Sequence, residues 1–194
     1  MNFLAHFHLA WPDKGLVTGG LDGDFVKGSL RGDLPPELER GIRLHRAIDA
    51  YTDAHPLIQQ LRKELHPRLR RYAGILIDLS FDHFLSLHWS RFSSIPLTEF
   101  NNGVYHILNS HEYPLSQGGS KMAERLIEYD ILNLYTEWKT VTATATRIGQ
   151  RFKSRNPFLN IDQELSPSRN NLEQVFLAFY PQLELFSYQR TQIL

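Results

Sequence analysis

The chain of 194 residues contains no cysteine. Thiol nucleophiles, disulfides and thiolate metal sites are therefore excluded, and any bound metal must use His, Asp, Glu or water. It carries no net charge, because 21 Lys and Arg balance 21 Asp and Glu. That removes any global argument for nucleic acid or a membrane surface as partner. It has no apolar run of the ~18 residues that a membrane-spanning helix needs. The opening MNFLAHFHLA lacks a basic region and is interrupted by two histidines, so no secretory leader is expected. A cysteine-free chain of this kind suits the cytoplasm. One further absence is local. Tyr72 to Ser90, YAGILIDLSFDHFLSLHWS, reads as a long, nearly all-apolar helix without Lys or Arg, yet it carries Asp78, Asp82, His83 and His88. Buried carboxylates are normally paired or bind metals. The cations for this helix must come from elsewhere.

What is present is ordinary for a globular protein: 42% hydrophobic and 22% charged residues, enough for a real core in one domain spanning 1–194. Nine histidines and twelve phenylalanines are the notable counts. Residues 2–10 read as a short helix or buried strand. Leu16 to Gly28 is rich in glycine and reads as a loop that brings Asp24 to a site, without a Walker or GxGxxG pattern. Pro35, Pro36 and Glu37 mark a helix start, and His55-Pro56 its end. On that helix Ile42, His45 and Asp49 fall within roughly 40° of Leu38, so the His and Asp lie in the apolar stripe. They are one turn apart and can converge on one ligand. Asp78 and Asp82 have the same spacing, while His83 points about 100° away from Asp82.

Beyond Arg91 the periodicity predicts helices at Leu97–Leu108, Lys121–Trp138 and Thr140–Phe152, with a loop at Tyr113–Gly119. An irregular polar connection is expected from Lys153 to Arg169, then a helix from Asn170 broken at Pro181. The expected fold is all-α, a compact single-domain multi-helix bundle.

Three segments thus bring His or Asp into apolar surroundings: His6 and His8, then His45 with Asp49, then Asp78, Asp82 and His83. Asp24 is a fourth contributor. A set of nitrogen and oxygen donors without sulfur suits Mn, Mg, Fe or Zn, with Mn and Mg favoured as the carboxylate share rises. A divalent ion would supply the missing cation. A structural Arg such as Arg46 could serve instead, and each His could be a core residue. The basic run with Arg62, Lys63, Arg68, Arg70 and Arg71 is by default a solvated face.

NFLAHFHLA at 2–10, GDFVKG at 23–28, LHRAIDAYTD at 44–53 and DLSFDHFLSLHW at 78–89 resemble, in this order, the acyl carrier protein phosphodiesterase family. The resemblance implies a cytoplasmic, all-helical, Mn-dependent enzyme related to HD-domain phosphohydrolases, with Mg or another divalent ion as an alternative. Its reaction would release 4′-phosphopantetheine from the serine of holo-acyl carrier protein. It implies His45, Asp49, Asp78 and Asp82 as metal ligands, and Asp24, His6 and His83 as catalytic groups. Because the carrier protein of that family is acidic, Arg62, Lys63, Arg68, Arg70 and Arg71 become a candidate docking surface. The adjacent pair here is Asp82-His83, the reverse of the usual HD order. Two other functions remain open: an HD-type hydrolase acting on a nucleotide, and a non-enzymatic helical module that binds a carrier protein.

Overall fold

The computed structural model describes residues 1–152 and 156–194. Its α-helices run in the order α1 Phe3–Ala10, α2 Lys14–Asp22, α3 Pro36–Ala54, α4 Pro56–Glu64, α5 Ala73–Leu87, α6 Leu97–Asn109, α7 Gln117–Glu128, α8 Ile131–Leu134, α9 Trp138–Gly149, α10 Ile161–Leu165 and α11 Arg169–Thr191. No strand occurs among the described residues. The all-α expectation holds. No helix among the described residues is long and apolar enough to cross a membrane.

Local chemistry explains most helix ends. Asp13 caps α2 by accepting the Leu16 N–H at 2.9 Å. Pro36 opens α3 with Glu37 and Glu39 in its first turn, which complements the positive end of the helix. Ser116 caps α7 through the Gly119 N–H. The central helix α5 packs against α1, α9 and α11. Phe81 and Phe84 on α5 and Phe176 and Phe179 on α11 are all fully buried. Each such side chain contributes about 1.5–3 kcal/mol.

Four stretches differ from the sequence reading. The first part of Leu16–Gly28, as far as Asp22, is helix rather than loop. Gly19 there, with Gly41 on α3, serves close packing: a Cβ on Gly19 would lie 2.3 Å from the Leu38 carbonyl oxygen, and one on Gly41 would lie 2.7 Å from the Gly15 oxygen. Only glycine lets α2 and α3 approach this closely. The helix expected at Lys121–Trp138 is interrupted at Asp130, which takes a left-handed φ of 48°. The polar connection contains α10 and a 3₁₀ turn at Ser166–Ser168; its residues 153–155 lie outside the described residues. Finally, α11 runs through Pro181. Beyond the proline Leu183 is fully buried and Phe186 stacks on Tyr51 at 4.2 Å, so tertiary packing outweighs the lost backbone hydrogen bond.

Candidate metal centre

The packing of α2 on α3 and of α1 across both brings three of the expected residues to one point. His6 on α1 and His45 and Asp49 on α3 each offer a donor atom within 4.8 Å of the others. The His6 Nε2 lies 3.2 Å from one Asp49 oxygen, and the His45 Nε2 lies 3.1 Å from the other. The two imidazoles stack at 3.9 Å with their planes 16° apart. Asp24, just beyond α2, reaches to 3.6 Å from His45 Nε2.

Both ring nitrogens of His6 and the Nδ1 of His45 are buried without a hydrogen-bond partner. Buried polar atoms are rarely left so. The His6 contact with Asp49 is close in distance but not aligned as a hydrogen bond. Donor atoms that crowd one point without pairing are what a divalent ion would engage, and two imidazoles plus carboxylates fit such an ion.

Electrostatics divides the two histidines. Burial, helped by the nearby His45 charge, pushes His6 down to about 4. Burial also disfavours the His45 imidazolium, but Asp24 and Asp49 outweigh it and push His45 up to about 9. Burial works against the Asp49 carboxylate, yet His45, His6 and the Met1 amino group hold its carboxyl well below the usual range. A metal would have to displace the His45 proton.

The remaining candidates are placed differently. Asp78 is linked to the cluster through the buried Met1 amino group, which lies 3.1 Å from Asp49 and 3.2 Å from Asp78. Asp82 turns both oxygens to α1, accepting the Leu4 N–H at 2.8 Å and the Ala5 N–H at 3.0 Å. Its counter-charge is the positive end of α1, which has no side-chain cap of its own. His83 is buried between segments far along the chain. Its Nδ1 donates to the Tyr135 carbonyl at 2.8 Å, and its Nε2 faces the Arg169 guanidinium at 3.4 Å. None of its contacts among the described residues is with His6, His45 or Asp49. His8, two residues on from His6, faces the opposite side of α1, held by the Tyr180 hydroxyl and the Phe92 carbonyl.

The basic run lies beside this centre. Arg62 pairs with Asp53, one turn beyond Asp49 on α3, and Arg68 pairs with Glu164 at 2.9 Å. The Arg70 Nε donates to the Leu65 carbonyl at 3.1 Å. Arg62, Arg70 and Arg71 line a cavity of about 300 Å³ at the start of α5. Lys63 is exposed with no ion pair among the described residues.

The comparisons with known proteins follow this geometry. The sequence model described as acyl carrier protein phosphodiesterase matches residues 1–183. The chain belongs to the acyl carrier protein phosphodiesterase family. Two relatives of that name from Klebsiella pneumoniae are 34% identical over 196 residues, covering 94% of this chain and 95% of theirs. One from Escherichia coli is 45% identical over 101 residues, about half of each chain (52%). No solved structure matches the fold. Within this phosphodiesterase family member, the sequence reading overlooked Lys27 and considered Arg46 only as a possible partner for the buried carboxylates of the central helix. Both line a cavity of about 430 Å³ together with Asp24, His45 and Asp49. Lys27 stands inside the GDFVKG segment, and its place three residues after Asp24 was the available signal.

Gly23 is a further positioning element of this phosphodiesterase chain. A Cβ there would fall 2.3 Å from Cγ of the His45 ring. That ring is stacked on His6, so it cannot withdraw without disturbing the stack. Gly23→Ala is expected to weaken divalent-metal affinity about 10–100-fold, the usual effect of disturbing a ligand's support. Titration calorimetry with Mn²⁺ checks this; unchanged affinity would mean that His45 does not bind the ion.

Proposed function

We propose that this chain is a divalent-metal phosphodiesterase that hydrolyses 4′-phosphopantetheine from the serine of a holo-acyl carrier protein, leaving apo-carrier protein. The observation that carries the reading is the cluster of His6, His45 and Asp49: both buried ring nitrogens of His6 lack a hydrogen-bond partner although its Nε2 lies 3.2 Å from Asp49, and His45 and Asp49 open onto a cavity. Family membership supplies the substrate class. His6, His45 and Asp49 would hold the ion, Mn²⁺ first and Mg²⁺ or another divalent ion second, with Asp24 at the rim. Such an ion polarises a phosphoryl oxygen and lowers the pKa of bound water.

The chain's own residues do the rest. Asp24 is half-exposed at the cavity mouth, and in the metal-free protein burial works against its charged form while His45 outweighs that effect; in the metal-loaded protein the ion would take over the role of the His45 charge. Asp24 orients the attacking water and accepts a proton from it. The water oxygen bonds to phosphorus, the bond between phosphorus and the serine oxygen breaks, and the serine oxygen takes up one proton. The products are the carrier protein's free serine and phosphopantetheine. Kinship with HD phosphohydrolases and a cytoplasmic location belong to the same proposal.

The basic residues beside the centre would meet the acidic carrier protein. Arg62 and Arg68 already have carboxylate partners, so Lys63, Arg70 and Arg71 carry most of the attraction. Reversing these three to Glu is expected to raise KM for holo-carrier protein about tenfold and leave a small diester untouched. Equal losses on both substrates would refute docking there.

Incubation with holo-acyl carrier protein and Mn²⁺, followed by mass spectrometry of the carrier protein, tests the reaction. Loss of the prosthetic-group mass is expected. An intact carrier protein beside a hydrolysed nucleotide in a substrate panel would point to the nucleotide hydrolase. Carrier-protein binding without any turnover or metal uptake would point to a binding module.

A further inference from the structure

Charge within the metal cavity is uneven in a useful way. Its lining holds two carboxylates, Asp24 and Asp49, two side-chain cations, Lys27 and Arg46, and the His45 imidazole, which must give up its proton to bind a metal. With His45 neutral the other four cancel. A bound divalent ion therefore leaves the cavity with two net positive charges, which favours an anion of the phosphodiester class.

The two cations are not equivalent. The Arg46 guanidinium is committed to the backbone: one nitrogen donates to the Gly28 carbonyl at 2.8 Å and another to the Val26 carbonyl at 2.8 Å. Those carbonyls lie on either side of Lys27. Gly28 takes a φ of +81°, a conformation that glycine adopts readily, and turns the chain away directly after Lys27. The backbone at Lys27 is thereby clamped at both flanks against α3, through the residue that follows His45 and stands about one turn before Asp49. Lys27 itself is exposed and makes no ion pair among the described residues. An exposed lysine usually extends into solvent. Here Lys27 lines the cavity that also holds Asp24, His45 and Asp49, and its ammonium makes no ion pair among the described residues.

We infer that Lys27 binds a non-bridging oxygen of the substrate's phosphodiester and that Arg46 is the positioning residue that holds it there. The inference rests on the phosphodiesterase reading but makes a separate demand on it. Lys27 acts on the phosphoryl group, so its loss must be felt by any phosphodiester, large or small. The docking arginines act on the carrier protein alone.

The test uses the full chain loaded with Mn²⁺. Lys27→Met is expected to lower kcat/KM about 30-fold or more on both holo-carrier protein and bis(4-nitrophenyl) phosphate, because one charge-assisted contact at the reacting group is lost. The Mn²⁺ affinity should stay within about twofold of the parent, and Lys27→Arg should recover most of the activity. Arg46→Gln should lower kcat/KM on both substrates, and adding it to Lys27→Met should cost little more, as expected when one residue acts through the other. Binding of inorganic phosphate to the Mn²⁺-loaded protein, followed by calorimetry, should weaken about tenfold in Lys27→Met. That last measurement stands even if the parent protein hydrolyses neither substrate, a result that would overturn the phosphodiesterase reading instead. Parent-like phosphate binding in Lys27→Met, or additive losses in the double variant, would overturn the role given to Lys27 and Arg46.

Discussion

Asp49→Asn is expected to abolish metal-dependent hydrolysis while leaving the protein folded. Among the described residues, Asp49 is the carboxylate that touches both His6 and His45. It also faces the Met1 amino group. An amide in its place keeps the shape but loses the charge that draws an ion between the imidazoles. Rate loss on the order of a thousandfold or more is expected, since the ion and its water carry most of the transition-state charge. Stability should change far less, by about 1–2 kcal/mol, because the Asp49 side chain is 40% exposed and Asp78 remains to pair the buried Met1 amino group. Mn²⁺ calorimetry and thermal melts of the same sample separate the two effects. A variant that binds Mn²⁺ like its parent would remove Asp49 from the ligand set.

The site half of this result was readable from spacing. His45 and Asp49 lie one turn apart on an apolar stripe with clear start and stop signals, and burial with convergence follows from helix geometry. His6 was harder. On its own helix it is one of two histidines in an apolar octet, and only the crossing of α1 over α3 shows that it, not His8, meets the cluster. That crossing depends on glycines at the α2–α3 contact, whose packing role a single sequence does not distinguish from a loop. Lys27 was missed for a related reason: an exposed lysine carries no periodicity, and its constraint comes from Arg46 far along the chain. The central helix was read correctly as buried, but the sequence offered no sign of the partners that its carboxylates have in the structure, the start of α1 for Asp82 and the Met1 amino group for Asp78. Sequence patterns reveal an unpaired buried carboxylate; they do not reveal a helix terminus aimed at it.

That distinction gives the second large effect. Replacing Asp82 by Asn is expected to destabilise the protein by about 1–3 kcal/mol, because two buried N–H groups at the start of α1 lose their carboxyl acceptor and one of them meets an amide donor instead. The pH dependence has a definite sign. Burial pushes Asp82 up to about 7 despite the two backbone N–H contacts. A carboxyl whose folded-state pKa is raised contributes stability that is full below its unfolded value near 4, and that is lost as pH rises through about 7. Asn cannot ionise, so the gap between parent and variant should be widest at about pH 4 and below and narrow toward pH 8. Urea melts across that range measure it. The same melts decide between two roles for Asp82. If it caps α1, the metal-free protein loses stability and the folded fraction still binds Mn²⁺. If it is a ligand, the metal-free melt stays parental and the stabilisation by Mn²⁺ disappears. Because α1 also carries His6, a cap at Asp82 ties the order of that helix to the geometry of the metal centre. Loss of activity in Asp82→Asn would then follow from a displaced imidazole, not from a missing ligand.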